Sequence, residues 1–178
     1  MRVGCVIVSY DVPEIISRAV NSIKGHVDEV IVIDNSSPRN PAYREADTLG
    51  VTVLHTGRNI GHGPGMDMGI NKLNTEFVIV MDSDTVVKDP SIIDDMKKLM
   101  ADDVYGVGRV IQRMGVDYLH PYFAMIRKEY YLRHKPFINH GAPCCEAMAD
   151  IKDKLKVIGI DMGKVWHEHR RTRERKRI

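Results

Sequence analysis

The sequence predicts an α/β fold: a single Rossmann-like domain with a mostly parallel central sheet and helices on both faces. Three observations carry this. Val- and Ile-rich apolar runs recur at Val3–Val8, Glu29–Asp34 and Phe77–Asp82, and unbroken runs of this kind suit parallel strands covered on both faces. Between the runs lie segments whose apolar residues return at helical spacing. The chain has 178 residues, 43% hydrophobic and 28% charged, enough for one well-buried core and too few for two.

Taken in order, Arg2 to Ser9 reads as the first strand. Asp11-Val12-Pro13 is a turn, with Pro13 suited to the first turn of a helix. Ile15, Ile16, Ala19, Val20 and Ile23 give that helix its apolar stripe, and it ends near Gly25. Glu29 to Asp34 is the second strand. A right-handed βαβ connection places it parallel to the first, with Asp34 at its carboxyl end. Asn35 to Pro41, NSSPRNP, is too polar and proline-broken for core and reads as an exposed loop. A short helix from Tyr43 to Leu49 and a third strand from Val51 to His55 follow. Gly57 to Gly69, GRNIGHGPGMDMG, has five glycines in thirteen residues and runs into Met66, Ile70 and Leu73 at helical spacing. The strand Phe77–Asp82 comes next, then an amphipathic helix over Ser91–Met100 and a strand over Tyr105–Ile111. In Tyr118–Arg127, YLHPYFAMIR, Pro121 predicts two short extended pieces, followed by a helix from Lys128 to His134. Glu146–Leu155 reads as a helix, Lys164–Trp166 as a last strand and His167–Ile178 as a polar tail.

Composition excludes several function classes. A formal net charge of +2 gives no overall reason to expect nucleic acid as a partner. Three cysteines, Cys5 and the adjacent Cys144 and Cys145, make neither a disulfide framework nor a CxxC zinc pattern, which favours a reducing compartment. The apolar run at the start is shorter than a signal-peptide core or a membrane span. The expectation is a soluble, cytoplasmic chain.

The chemistry centres on FVIVMDSDT, Phe77 to Thr85. Asp82 and Asp84 stand where a buried strand gives out, the place where open α/β sheets bind ligands. Two aspartates at i and i+2 project to the same side of an extended segment, so both reach one hard cation, and that cation could hold a diphosphate. The competing reading makes Asp82 a turn residue and Asp84 a helix cap. The glycine-rich entry to a helix would offer backbone N–H groups to phosphate oxygens. It is neither a Walker A sequence, lacking GK[ST], nor the dinucleotide fingerprint, which belongs after the first strand. The aromatic residues of YLHPYFAMIR either line an acceptor pocket or serve ordinary packing.

The order VIVSYDVPEIISRAVNSI, EVIVIDNSS, GRNIGHGPGMDMGI, FVIVMDSDT and a late VWH resembles the family 2 glycosyltransferases with the A-type nucleotide-sugar fold, over nearly the whole chain. The resemblance implies that Ser9, Tyr10 and Asp34 hold the nucleotide base and ribose. Asp82-Ser83-Asp84 would be the DxD motif, with Asp84 binding the metal that bridges the donor diphosphate, Asp82 beside it, and His167 completing the site from the other side. Such a donor set suits manganese, with magnesium the other option. Of the family's glycine segment, Asn59, Gly61 and Gly69 match, while Gly65 replaces an alanine and Asp67 an asparagine. The family's late carboxylate motif, which supplies the catalytic base, departs more. Aligned through Asp150-Ile151, Lys154 and Gly159, it puts Ala147 and Met148 where a Glu-Asp pair is expected. Glu146 and Asp150 are then the candidate bases, with His140 and His120 behind them.

The function implied is a metal-dependent inverting transfer of a sugar from a nucleoside-diphosphate sugar to a hydroxyl acceptor, a glycan or lipid-linked glycan. A non-catalytic nucleotide-sugar-binding protein is the alternative that the missing pair favours. A sugar nucleotidyltransferase fits less well, since SYDVPE stands where its glycine-rich loop would follow strand one. The predicted domain is 1–167. The tail, 168–178, holds five arginines and one lysine within Arg170–Arg177 and reads as a flexible solvated end or a peripheral contact with an anionic membrane.

Overall fold

The computed structural model of the chain describes residues 1–40, 43, 47–138 and 142–168. His140 and, apart from Glu168, the basic tail lie outside the described residues. Seven strands form one sheet: β1 (Val3–Ser9), β2 (Glu29–Asp34), β3 (Thr52–His55), β4 (Phe77–Asp82), β6 (Val104–Arg113), β7 (Val116–Arg127) and β8 (Lys156–Gly159), in the order β3-β2-β1-β4-β7-β6-β8. Every pairing is parallel except those of β7, which runs against both β4 and β6. A second sheet pairs β5 (Thr85–Val87) with β9 (Val165–His167).

Strand alternation sends successive side chains to opposite faces. Val3, Cys5 and Ile7 meet Ile16, Ala19, Val20 and Ile23 of α1 (Pro13–Ile23) and Ile92, Ile93 and Met96 of α3 (Ser91–Leu99). Val6 and Val8 face the other way, toward Met66 and Ile70 of α2 (His62–Lys72) and Ala147, Met148 and Ile151 of α5 (Cys145–Ile151). A further short helix, α4 (Lys128–Arg133), follows β7 and buries Tyr131 on that same side. The expected parallel sheet with helices on both faces is therefore present. Gly69 lets α2 lie close on β1, because a Cβ there would stand 2.9 Å from Val6 Cγ2 and closer still to Cγ1.

Three elements differ from expectation. Pro121 does not split its segment, and β7 is one strand of 12 residues. The pairing jumps from Gly108↔Ala124 to Val110↔Leu119, so Arg109 alone opposes residues 120–123. A bulge of this kind leaves ladder positions unpaired, and a proline, which has no N–H to donate, fits there without loss. The helix expected over Glu146–Leu155 stops at Ile151, after which the chain turns to supply β8, an edge strand too short to stand out in sequence. The final strand is Val165–His167 and includes the histidine assigned to the tail. Among the described residues no helix is long and apolar enough to cross a membrane.

Candidate active site

The carboxyl ends of β1, β2 and β4 lie together at one edge of the sheet, since Ser9 registers with Asp34 and Val8 with Asp82. A hydrogen-bonded string runs along this edge. Asp34, buried at 1% exposure, accepts the Ser36 N–H on Oδ1 (3.1 Å), and its Oδ2 lies 2.9 Å from His55 Nδ1. Asn35 donates its side-chain N–H to the Gly61 carbonyl (3.1 Å), and Asn59 Oδ1 accepts the Gly61 N–H (2.9 Å). Gly61 has φ of 99°, a conformation glycine alone adopts readily, and it opens α2. The first residue of that helix, His62, brings Nε2 to 3.0 Å from Asp82 Oδ1. Ser9 is buried beneath this edge, while the Tyr10 ring is 48% exposed.

Asp82 ends β4, and Asp84 sits in the turn that leads into β5. β9 pairs against β5 with Thr85 opposite His167, and the Glu168 N–H donates to the Asp84 carbonyl (3.0 Å). His167 is thus fixed beside the two aspartates: its Nε2 lies 3.0 Å from Asp84 Oδ1 and 3.5 Å from Asp82 Oδ2. One ligand atom from each of Asp82, Asp84 and His167 lies within 4.8 Å of the others. Glu168 also pairs with Arg18 of α1 at 2.8 Å, tying the end of β9 to the body of the domain. On the other side, Tyr122 of β7 stacks on His167 with centroids 4.7 Å apart and planes 9° apart, and His120 stands edge-on to His167 at 6.3 Å.

Electrostatics mark Asp82 and His167. Burial alone would raise the Asp82 carboxyl, but hydrogen bonds from His167 and His62 outweigh it and hold the group well below the usual carboxylate range. Burial would lower His167, yet its bonds to Asp82 and Asp84 raise it to about 9. An imidazolium therefore sits where two carboxylates converge, a position that demands positive charge. Two carboxylates and one imidazole form a donor set suited to a manganese-like cation.

The sequence-predicted residues divide accordingly. Ser9, Tyr10, Asp34, Asn59, Gly61, Asp82, Asp84 and His167 all lie along this one edge and its loops. Glu146 occupies the first turn of α5, partly buried. Just before it, burial chiefly, then Cys145 and, among smaller causes, the Asp82 charge push the Cys144 thiol up. Asp150, at the far end of α5, has its carboxylate engaged by His134 (2.8 Å) and Lys154 (3.4 Å). A cleft of about 410 Å³, lined in part by Asp117, Met148, Lys152 and Lys156, contains none of the cluster residues. Sequence reasoning did not single out His62 or Tyr122. Each acquires its place only through tertiary approach, although His62 at a glycine-flanked helix start was a visible signal.

A Rossmann-like sheet carrying a DxD pair and a late histidine at its strand ends defines the class of A-type glycosyltransferases. The chain belongs to glycosyl transferase family 2, whose description matches residues 5–154. Solved structures share the fold. A mannosyltransferase from Pyrobaculum calidifontis, in complex with GDP-Man and Mn2+, superposes with a TM-score of 0.70 at 19% identity, over 90% of this chain and 55% of that one. Glucosyl-3-phosphoglycerate synthase from Mycobacterium tuberculosis, with Mn2+, UDP and phosphoglyceric acid, gives 0.74 at 16% identity, over 98% of this chain and 73% of that one. A mycobacterial protein gives 0.74 at 17% identity, over 97% and 69%. The chain thus spans about half the length of the mannosyltransferase. No curated protein sequence matches it.

Proposed function

We propose that this chain is a metal-dependent inverting glycosyltransferase, moving a sugar from a nucleoside-diphosphate donor to a hydroxyl acceptor. The observation that carries the reading is the convergence of Asp82, Asp84 and His167 within 4.8 Å at the carboxyl end of β4. Family membership and structural neighbours that bind GDP-Man or UDP together with Mn2+ support it. Asp84, Asp82 and His167 would hold the cation, Mn2+ or Mg2+, which when bound supplies positive charge to the leaving diphosphate.

The chain's own residues do the rest. The exposed Tyr10 ring and the edge made by Ser9 and Asp34 receive the base and ribose, and Asp34 also orients His55 through its buried carboxylate. The loop of Asn59 and Gly61 leads to the start of α2, whose backbone N–H groups face the phosphate side. Glu146 takes the proton of the acceptor hydroxyl as its oxygen attacks the anomeric carbon opposite the departing diphosphate, which inverts the configuration. Asp150 serves as the second candidate, at the cost of its contacts with His134 and Lys154. A lipid-linked acceptor would bring in the basic tail as a peripheral membrane contact. One observation favours a different function, a nucleotide-sugar-binding protein without turnover: Ala147 and Met148 are buried where the family places its Glu-Asp pair.

Thermal shift with nucleoside diphosphates and Mn2+ tests the reading. A ligand at a hundred times its dissociation constant adds about 2.7 kcal/mol, and chelator or Asp84→Ala should remove that gain. Donor-dependent product formation separates enzyme from binding protein. A nucleotide shift that survives chelation would reject the metal role.

A further inference from the structure

Several cations of this chain are matched to carboxylates, among them Arg18 to Glu168, Lys97 to Asp94, Lys98 to Asp95 and Lys164 to Asp95. Arg109 and Arg113 are not among them, and they stand out by their place beside the metal cluster's aromatic wall. Both lie on the outward half of β6, both are exposed, and among the described residues neither is ion-paired. Their positions are nevertheless fixed. Burial raises the phenol of Tyr122, the ring stacked on His167, and the nearby Arg109 charge opposes that rise, while the Arg113 guanidinium sits 5.4 Å from the Tyr118 ring centroid.

His120 lies between these arginines and the metal cluster. Its ring contacts Tyr118, Tyr122 and His167 with centroids 5.9, 5.2 and 6.3 Å away. Its Nδ1 accepts the Tyr122 backbone N–H at 3.3 Å, so the proton of the neutral ring is on Nε2, leaving an N–H donor. The bulge sets Arg109 against residues 120–123, the stretch of β7 that carries His120 and Tyr122. All of them lie across β4 from the β1 and β2 ends that form the nucleotide side, since β7 and β6 follow β4 on its other flank.

Resting on the glycosyltransferase reading, we propose that Arg109, Arg113 and the Nε2–H of His120 form the acceptor subsite, and that it takes an acceptor carrying a phosphate group. Guanidinium forks match phosphate oxygens in geometry and charge, and an imidazole N–H adds a directional donor. The strand ends that would receive the donor's base and ribose lie on the other side of β4, so a second substrate would reach the cluster from this flank.

The test titrates 15N-labelled protein with glycerol 3-phosphate and with glycerol at matched ionic strength, following the arginine Nε–H and β6 amide signals. Glycerol 3-phosphate should shift Arg109 and Arg113, and glycerol should not. Each of Arg109→Ala and Arg113→Ala should weaken the response about tenfold or more, and Arg109→Lys should retain part of it. Co-sedimentation with phosphatidylglycerol and phosphatidylcholine vesicles forms the second arm. Binding to the anionic vesicles alone, lost in the double alanine variant, assigns the phosphate to a lipid headgroup and supports the subsite. Equal responses to glycerol and glycerol 3-phosphate, or a double variant that binds both probes like the wild type, overturn it. Mn2+-dependent nucleoside-diphosphate binding on the same samples should be unchanged by either substitution. Failure of that binding in the wild type defeats the transferase reading and with it the acceptor role, even where the phosphate response persists.

Discussion

Metal binding to this site should release a proton from His167, and the affinity should rise steeply with pH. In the metal-free protein His167 is raised to about 9 by Asp82 and Asp84, while a metal ligand must be neutral imidazole. At pH 7 the imidazolium then outweighs the neutral ring by about a hundredfold, and clearing the proton costs about 3 kcal/mol at 1.36 kcal/mol per pH unit. The side chain is only 13% exposed, so solvent screens this little. Apparent Mn2+ affinity should therefore climb about tenfold per pH unit from 6.5 toward 9 and then level off. Titration calorimetry in buffers of different ionisation enthalpy measures both the affinity and the proton, with close to one proton released at pH 7. His167→Ala should bind Mn2+ more weakly at pH 9 and lose most of the slope. A wild-type affinity that is flat between pH 6.5 and 8.5, with no proton released, would refute the placement of the imidazolium between the two carboxylates.

Glu146→Gln should slow sugar transfer by about 10²- to 10⁴-fold with donor affinity nearly unchanged, measured by steady-state kinetics beside donor titration; a fully active variant would move the base to Asp150 or a histidine. Gly69→Ala should destabilise the fold by about 1–3 kcal/mol through its collision with Val6, less the roughly 1 kcal/mol that alanine gains in a helix. In a Val6→Ala background the same change should become stabilising, and urea denaturation showing the same sign in both backgrounds would sink the packing argument. For His55, burial lowers the pKa but hydrogen bonds with Asp47 and Asp34 prevail and raise it above 6.5. Its contribution to stability is therefore full below pH 6.5 and lost as pH rises through the folded value. Comparing urea unfolding of wild type and His55→Gln at pH 6 and pH 8.5 isolates it, and an unaltered pH dependence in the variant would exclude it.

The parallel half of the fold was legible because β1, β2 and β4 are buried on both faces and say so in unbroken Val and Ile. The aspartates were legible because spacing along one strand end needs no knowledge of the rest. What escaped depends on residues far apart in sequence. β5 has three residues and exists only because it pairs across some eighty positions with β9, the last strand that the sequence did show, Thr85 with His167. Pro121 argued against a continuous strand, and only the partner strand reveals the bulge that accepts it. His62 lies twenty residues before Asp82, and the fold of α2 onto the sheet brings them to 3.0 Å. Arg109 looked like any surface cation until the pairing of β6 with β7 set it opposite residues 120–123.

The mismatch in the β6–β7 pairing, one residue facing four, also separates two design problems. Residues 120–122 form no rungs of the ladder, while Met81↔Phe123 and Val80↔Ala124 hold the register with β4 just beyond. Length or identity can change within that short stretch without sliding β7 along its neighbours, because a register slip would have to overturn the whole buried face. Substrate choice on this flank is then free to drift in evolution, or to be redesigned, while the strand ends that carry Asp34 and Asp82 stay where they are.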